Sequence, residues 1–173
     1  DCNTTAGTST IDRTGCPDTD GDGYSNPDGN WTVNNGADAF PSETTQWADQ
    51  DYDGYGDNAA GVQPDACVAT AGNSTGDRFG CTDSDGDGYS NPDGSWTTAN
   101  GADACSSVSG TSNQDRNGCA DQDGDGYSDP DGSWGTTNGA DAFPTDDTQW
   151  ADSDGDGYGC LLYTSDAADE VVR

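Results

Sequence analysis

Histidine, lysine and methionine are absent from these 173 residues, and glutamate nearly so: Glu43 and Glu170 are the exceptions among 34 acidic residues. Four arginines make up the whole basic complement and leave a formal charge of −30. Without a basic patch the chain has nothing to offer the phosphates of nucleic acid or an anionic bilayer, so neither is expected as a partner. Without histidine or lysine, and with no Ser or Cys nucleophile set beside a base, the usual parts of acid–base and covalent catalysis are missing. No catalytic or cofactor-binding residue is assigned, and the chain is not expected to be an enzyme. Apolar residues amount to 28%, and no apolar run approaches the length of a bilayer span. The sequence opens at Asp1 with neither a start Met nor an apolar signal segment, as expected of a processed secreted chain.

What is present in excess is aspartate, which suits tight loops that curl around an ion. A self-repelling chain with so little apolar surface cannot offset its conformational entropy by burial alone. The fold must therefore draw on metal and covalent cross-links. Five copies of one loop supply the metal chemistry: DTDGDGY from Asp18, DQDYDGY from Asp49, DSDGDGY from Asp83, DQDGDGY from Asp121 and DSDGDGY from Asp152. Carboxylates stand at positions 1, 3 and 5 of each: Asp18, Asp20 and Asp22; Asp49, Asp51 and Asp53; Asp83, Asp85 and Asp87; Asp121, Asp123 and Asp125; Asp152, Asp154 and Asp156. Glycine at position 6 permits a sharp turn, and position 7 offers the main-chain carbonyls of Tyr24, Tyr55, Tyr89, Tyr127 and Tyr158. Alternating carboxylates, a turn glycine and a carbonyl are the donor set for a hard cation, and Ca2+ is the expected ion, at least about five per chain.

Internal repetition organises the rest. The stretch Asp18 to Ala48 recurs at Asp121 to Ala151, and Asp12, Arg13, Gly15 and Cys16 recur as Asp115, Arg116, Gly118 and Cys119, with a related copy at Asp77, Arg78, Gly80 and Cys81. A longer natural array is expected. Cys2 and Cys16, Cys67 and Cys81, and Cys105 and Cys119 share one spacing. Three local disulfides are expected, each able to contribute about 3 kcal/mol on a loop-entropy argument. Free thiols or zinc are the alternative, with neither a CxxC pair nor histidine to support it. Disulfides place the chain in an oxidising compartment, outside the cell or at its surface.

These loops resemble thrombospondin type 3 repeats over nearly all of residues 1 to 159. In that family an Asp array ends in a further Asp before a Cys-Pro step, and a short polar connector containing Gln leads into the next array. Here Asp38-Ala39-Phe40-Pro41 resembles that step with Phe in place of Cys, Asp141 opens a second such connector, and Asp65 with Cys67 and Asp103 with Cys105 keep the cysteine. The resemblance implies a mostly irregular fold, with little helix or strand, elongated around a row of calcium ions. It also implies a closing carboxylate. Because insertions follow the arrays, Asp38, Asp65, Asp103 and Asp141 are the expected closing ligands, with Asp28, Asp93 and Asp131 at position 11 as competitors. Asn26, Asp57, Asn91 and Asp129 at position 9 ligate directly or through water.

The insertions read as small β-hairpins, with a Pro-Asp-Gly turn before Trp31 and Asn35-Gly36 as a second turn. Trp31, Trp96 and Trp134 form either a miniature core over each calcium loop or an exposed platform for carbohydrate or a neighbouring chain. Trp47 and Trp150 are expected to pack one repeat on the next, and the position-7 tyrosines to pack as well. Arg13, Arg78 and Arg116 are expected to form local ion pairs. Sequons at Asn3, Asn30 and Asn73, with Ser/Thr-rich surroundings, make a glycosylated protein plausible on composition. The expected order is a Cys-closed loop (1–17), calcium repeats at 18–48 and 49–66, a Cys-closed loop (67–82), a repeat (83–104), a Cys-closed loop (105–120), a repeat (121–151) and the start of a fifth (152–159). The segment from Cys160 to Glu170 resembles a translated sequencing-library adapter, so 160–173 is expected to be non-native. The functional expectation is an extracellular calcium-stiffened stalk, spacer or filament subunit, with further copies of itself in a fibre and glycans as candidate partners. The alternative is an adhesin-type module that binds glycans or a surface protein through its Trp insertions.

Overall fold

The computed structural model describes Cys2 and residues 5–159. Asn3, Cys160 and the adapter-like tail lie outside the described residues. The chain divides into two units, Asp1–Thr82 and Asp83–Arg173. The first unit holds two Cys-closed loops and the first two Asp loops, and the second holds one Cys-closed loop and the other three.

Regular structure among the described residues is confined to three single turns of 3-10 helix, Val33–Asn35, Thr98–Asn100 and Thr136–Asn138, and one isolated bridge between Gly56 and Pro64. The irregular tandem-repeat architecture matches the expectation from sequence. The hairpins do not. In each insertion an Asp at position 11 accepts main-chain hydrogen bonds two and three residues on, as Asp28 does from Asn30 (2.7 Å) and Trp31 (2.9 Å). Asn35 Oδ1 then accepts from the Thr32 amide at 3.2 Å, and Gly36 ends the turn at φ 101°, a conformation that favours glycine. Side-chain acceptors have taken the amides that a ladder would need, so the insertion is a pair of turns instead of two strands.

The buried interior contains no large apolar residue among those described. It consists of Cys16, Cys81, Cys119, Ala37, Ala102 and Ala140, with Ser9, Ser25, Ser74, Ser90, Ser112, Ser128, Gln46 and five aspartates. Polar groups can be buried in this way only where each finds a partner. No helix of the described residues is long and apolar enough to cross a membrane.

The three expected disulfides are present: Cys2–Cys16, Cys67–Cys81 and Cys105–Cys119, each with Cα atoms 5.1 Å apart. Each closes around a buried serine whose hydroxyl donates to the arginine carbonyl of the DRxGC motif and accepts from the second cysteine amide, as in Cys119 N to Ser112 Oγ at 2.9 Å. Gly7, Gly72 and Gly110 lie so close beneath that cysteine that a Cβ would stand 2.0, 2.2 and 1.9 Å from its carbonyl oxygen. No side chain fits there.

Aromatic packing joins the loops within each unit. Tyr24 stacks on Trp47 with centroids 5.3 Å apart, and Tyr127 on Trp150 at 5.1 Å. Tyr55 packs against Phe79 at 5.7 Å. Trp47 and Trp150 thus stack on the tyrosine of their own repeats, 18–48 and 121–151, where packing of one repeat on the next was expected. Trp31 and Trp134 differ from the expected core over their own calcium loops. Each lies against the DRxGC segment before it, with the Arg13 and Arg116 guanidinium carbons 5.3 and 5.2 Å from the ring centroids. Their indole Nε1 atoms donate to Asp12 and Asp115, both at 3.0 Å. Both rings are half-buried, as is Trp96.

Candidate metal centres

All five Asp loops close on themselves in the same way. The position-1 carboxylate accepts the amides of positions 4 and 6, so that Asp18 holds Gly21 (2.7 Å) and Gly23 (3.2 Å), and Asp121 holds Gly124 (2.7 Å) and Gly126 (3.0 Å). Asp49, Asp83 and Asp152 repeat the pattern. The position-5 carboxylate accepts the position-7 amide at 2.8–2.9 Å in every copy. Both turn positions are left-handed, which explains glycine at position 4 as well as position 6. Tyr52 occupies position 4 of the second copy at φ 67°, an unfavourable conformation for a side chain of that size, and its hydroxyl donates to Asn34.

This folding gathers one carboxylate oxygen from each of positions 1, 3 and 5 to within 4.8 Å of one another in all five copies. Five Asp triplets could thus hold a metal ion.

A fourth aspartate stands close enough to each of four triplets to feel their charge, outside the set of oxygens within 4.8 Å of one another. The amides of Asp38, Asp65, Asp103 and Asp141 donate to the carbonyl of position 8, namely Ser25 (2.9 Å), Gly56 (2.8 Å), Ser90 (2.9 Å) and Ser128 (2.9 Å). That bond returns the chain to the loop across the insertion. These four side chains are 0%, 5%, 0% and 1% exposed. Burial, opposed in part by a hydrogen bond from a nearby amide and reinforced by the neighbouring aspartates, pushes each carboxyl up to about 6. Burial likewise raises Asp22, Asp51, Asp85 and Asp125. Among the described residues, twelve buried side-chain oxygens lack any hydrogen-bond partner, and all belong to the triplets or their closing residues: Asp20, Asp22, Asp38, Asp51, Asp65, Asp85, Asp103, Asp123, Asp125 and Asp141. A carboxylate oxygen left dry and unpaired is costly, and a cation among these groups removes the cost. The residues fit a hard metal.

The competing position-11 carboxylates lie elsewhere. Asp28 and Asp131 are exposed and pair with Arg13 and Arg116, both at 2.8 Å. Hydrogen bonds from the Asn30 amide and Arg13 hold Asp28 below the usual carboxylate range, and bonds led by the Ser133 hydroxyl do the same for Asp131. Asp93, also exposed, accepts from Ser95 and Trp96. Two of the three arginine pairs expected from DRxGC, those of Arg13 and Arg116, are thus made with position 11. At position 9, Asn26, Asp57, Asn91 and Asp129 accept the amide of position 2 at 3.1–3.3 Å and brace the loop.

The fifth loop is different. Asp154, Asp156 and Tyr158 are exposed, and no closing aspartate stands beside it among the described residues.

Sequence reasoning missed three supporting groups. Ser25 and Ser128 at position 8 donate to Asp12 and Asp115. Burial works against ionisation of these two aspartates, but hydrogen bonds from Ser25 and Ser128, the main chain and Trp31 and Trp134 hold both below the ordinary range. Gln46 is buried and binds the 57–64 segment through Asn58 N (2.9 Å), Asn58 O (3.2 Å) and Val62 O (3.1 Å). Ser9, Ser74 and Ser112 organise the Cys-closed loops. The serine and glycine offsets recur in all three copies as GxSxxDRxGC, a signal open to reading from sequence.

Compared with known proteins, the chain matches no family model and no curated protein.

Proposed function

We propose that the four closed clusters bind Ca2+ and that the protein is a non-catalytic, calcium-stiffened structural repeat of an oxidising extracellular environment. The single observation that carries this reading is the set of twelve orphaned buried oxygens, confined to the positions where a cation would sit. The donors are all oxygen, and six cysteines are locked in disulfides, which favours a hard cation over zinc. Calcium tolerates the higher and less regular coordination that four carboxylates and a tyrosine carbonyl supply, whereas magnesium demands near-octahedral geometry and keeps its waters. When bound, calcium supplies positive charge that binds carboxylates distant in sequence into one rigid turn. Asp38, Asp103 and Asp141 would each lock an insertion, and Asp65 and Asp103 would each lock the entry to a disulfide loop. This is the ligand logic of the thrombospondin type 3 repeats that the loops resemble.

A stalk, spacer or filament subunit is the role that follows from such locking in tandem. The adhesin alternative uses Trp31, Trp96 and Trp134. It is less favoured because Trp31 and Trp134 already lie against arginine and donate to aspartate. Asn30 is exposed, and glycans there or at Asn73 belong to the same proposal, tested by intact mass. The deciding experiment is small-angle scattering with calcium and after chelation, disulfides intact. The expected result is a stiff particle that becomes a larger flexible coil on chelation. An unchanged profile sinks the calcium reading.

A further inference from the structure

The four closed clusters fall into two kinds. After Asp38 and Asp141 the chain enters the connectors 39–48 and 142–151, but after Asp65 and Asp103 it enters a disulfide loop. That loop folds back on the cluster it follows. The Gly72 amide donates to Asp53 Oδ2 at 3.0 Å, and the Gly110 amide to Asp87 Oδ2 at 3.2 Å. In the other two clusters the matching oxygens, Oδ2 of Asp22 and Asp125, are buried without a partner. One ligand oxygen of each of the Asp49 and Asp83 clusters is thus taken up by the disulfide loop.

Glycine of the DRxGC motif makes the closest approach. A Cβ on Gly80 would stand 2.4 Å from Asp65 Oδ1 and 2.8 Å from Asp53 Oδ2, and one on Gly118 would stand 2.4 Å from Asp103 Oδ1 and 2.7 Å from Asp87 Oδ2. Gly15, at the same place in the first loop, meets nothing within 4 Å.

We infer that the Cys67–Cys81 and Cys105–Cys119 loops are the roofs of the metal sites that precede them, so that the chain carries two classes of ion. The ions of the Asp49 and Asp83 loops lie beneath a disulfide-stapled cover and leave only when it lifts. The Asp18 and Asp121 loops are met instead by the disulfide loop before them, whose Thr10 and Ile11 amides, and Asn113 and Gln114 amides, donate to the position-6 carbonyls of Gly23 and Gly126 and not to a cluster carboxylate. The inference rests on the calcium reading above.

The three glycines provide a matched test, because Gly15, Gly80 and Gly118 share φ values of 79°, 74° and 73°. Alanine therefore imposes the same backbone strain on each, and only Gly80→Ala and Gly118→Ala also press on a cluster. Calcium titration of the full chain, with ion release timed by stopped-flow mixing into a fluorescent chelator, is run on the wild type and all three variants. Intact mass confirms three disulfides in each. The wild type is expected to release its ions in a fast and a slow phase. Gly80→Ala and Gly118→Ala should each move one slow ion into the fast phase and weaken it about tenfold or more, as loss of a charged-group contact does. Gly15→Ala should match the wild type. Equal behaviour of all three variants overturns the roof. A wild type that takes up no calcium overturns the metal reading itself and is seen before any variant is compared.

Discussion

A single aspartate per cluster decides how the site responds to pH. Burial raises Asp38, Asp65, Asp103 and Asp141 to about 6 in the ion-free fold, above the ordinary carboxylate range of an unfolded chain. Their protonated form supports the ion-free fold fully below about pH 4, and that support is lost as pH rises through about 6. Calcium reverses the sign, because it binds the ionised carboxylate and must displace the proton. Calcium affinity is therefore expected to fall about tenfold per pH unit for each proton displaced once pH drops below about 6. Titrations on either side of that value check it, and a flat affinity would remove these four residues from the ligand set. A pair of substitutions separates the two carboxylates that compete on sequence. Asp38→Asn should lower the number of tightly bound ions by one. Asp28→Asn breaks an exposed pair with Arg13, so it should leave the ion count intact and shift melting only slightly.

At the scale of the element, Gln46 holds a whole loop without touching a metal. It is buried, and its three hydrogen bonds to Asn58 and Val62 join those of Thr45 in supporting the segment between Gly56 and Pro64. Gln46→Ala leaves partly buried main-chain groups of Asn58 and Val62 without this partner and is expected to cost about 1 kcal/mol. Amide exchange at Asn58 should accelerate while the Asp18 loop keeps its calcium. The Asp loops and disulfides were legible in sequence because their chemistry fixes both residue type and spacing: an ion needs its oxygens at set positions, and a bridge needs its cysteines at one interval. The insertions were misread because turn residues such as Asn35-Gly36 suit a hairpin and a 3-10 turn equally. Which one forms depends on whether Asp28 and Asn35 capture the amides, a competition that hydrophobic alternation does not record. The roof contact was hidden for a different reason. Gly80 and Gly118 act by having no side chain, and only a neighbour's coordinates reveal what a Cβ would strike.

The whole molecule carries a charge of −30 with an interior of serine, alanine, cystine and aspartate, so two electrostatic problems must be kept apart. One is general repulsion, which salt screens. At 1 M the Debye length is about 3 Å, short enough to let a metal-stripped, disulfide-intact chain contract. The other is local: the twelve buried oxygens need a direct ligand, and a diffuse sodium atmosphere cannot supply one. Adding about 1 M sodium chloride to the stripped chain is therefore expected to shrink its scattering radius without rebuilding the Tyr24–Trp47 and Tyr127–Trp150 stacks, read by near-ultraviolet circular dichroism. Calcium in the millimolar range should restore both, and magnesium should restore less of the aromatic signal because it gives up water reluctantly. If salt alone rebuilds the stacks, the clusters serve only as negative charge to be screened, and no ion is needed within them to order the repeats.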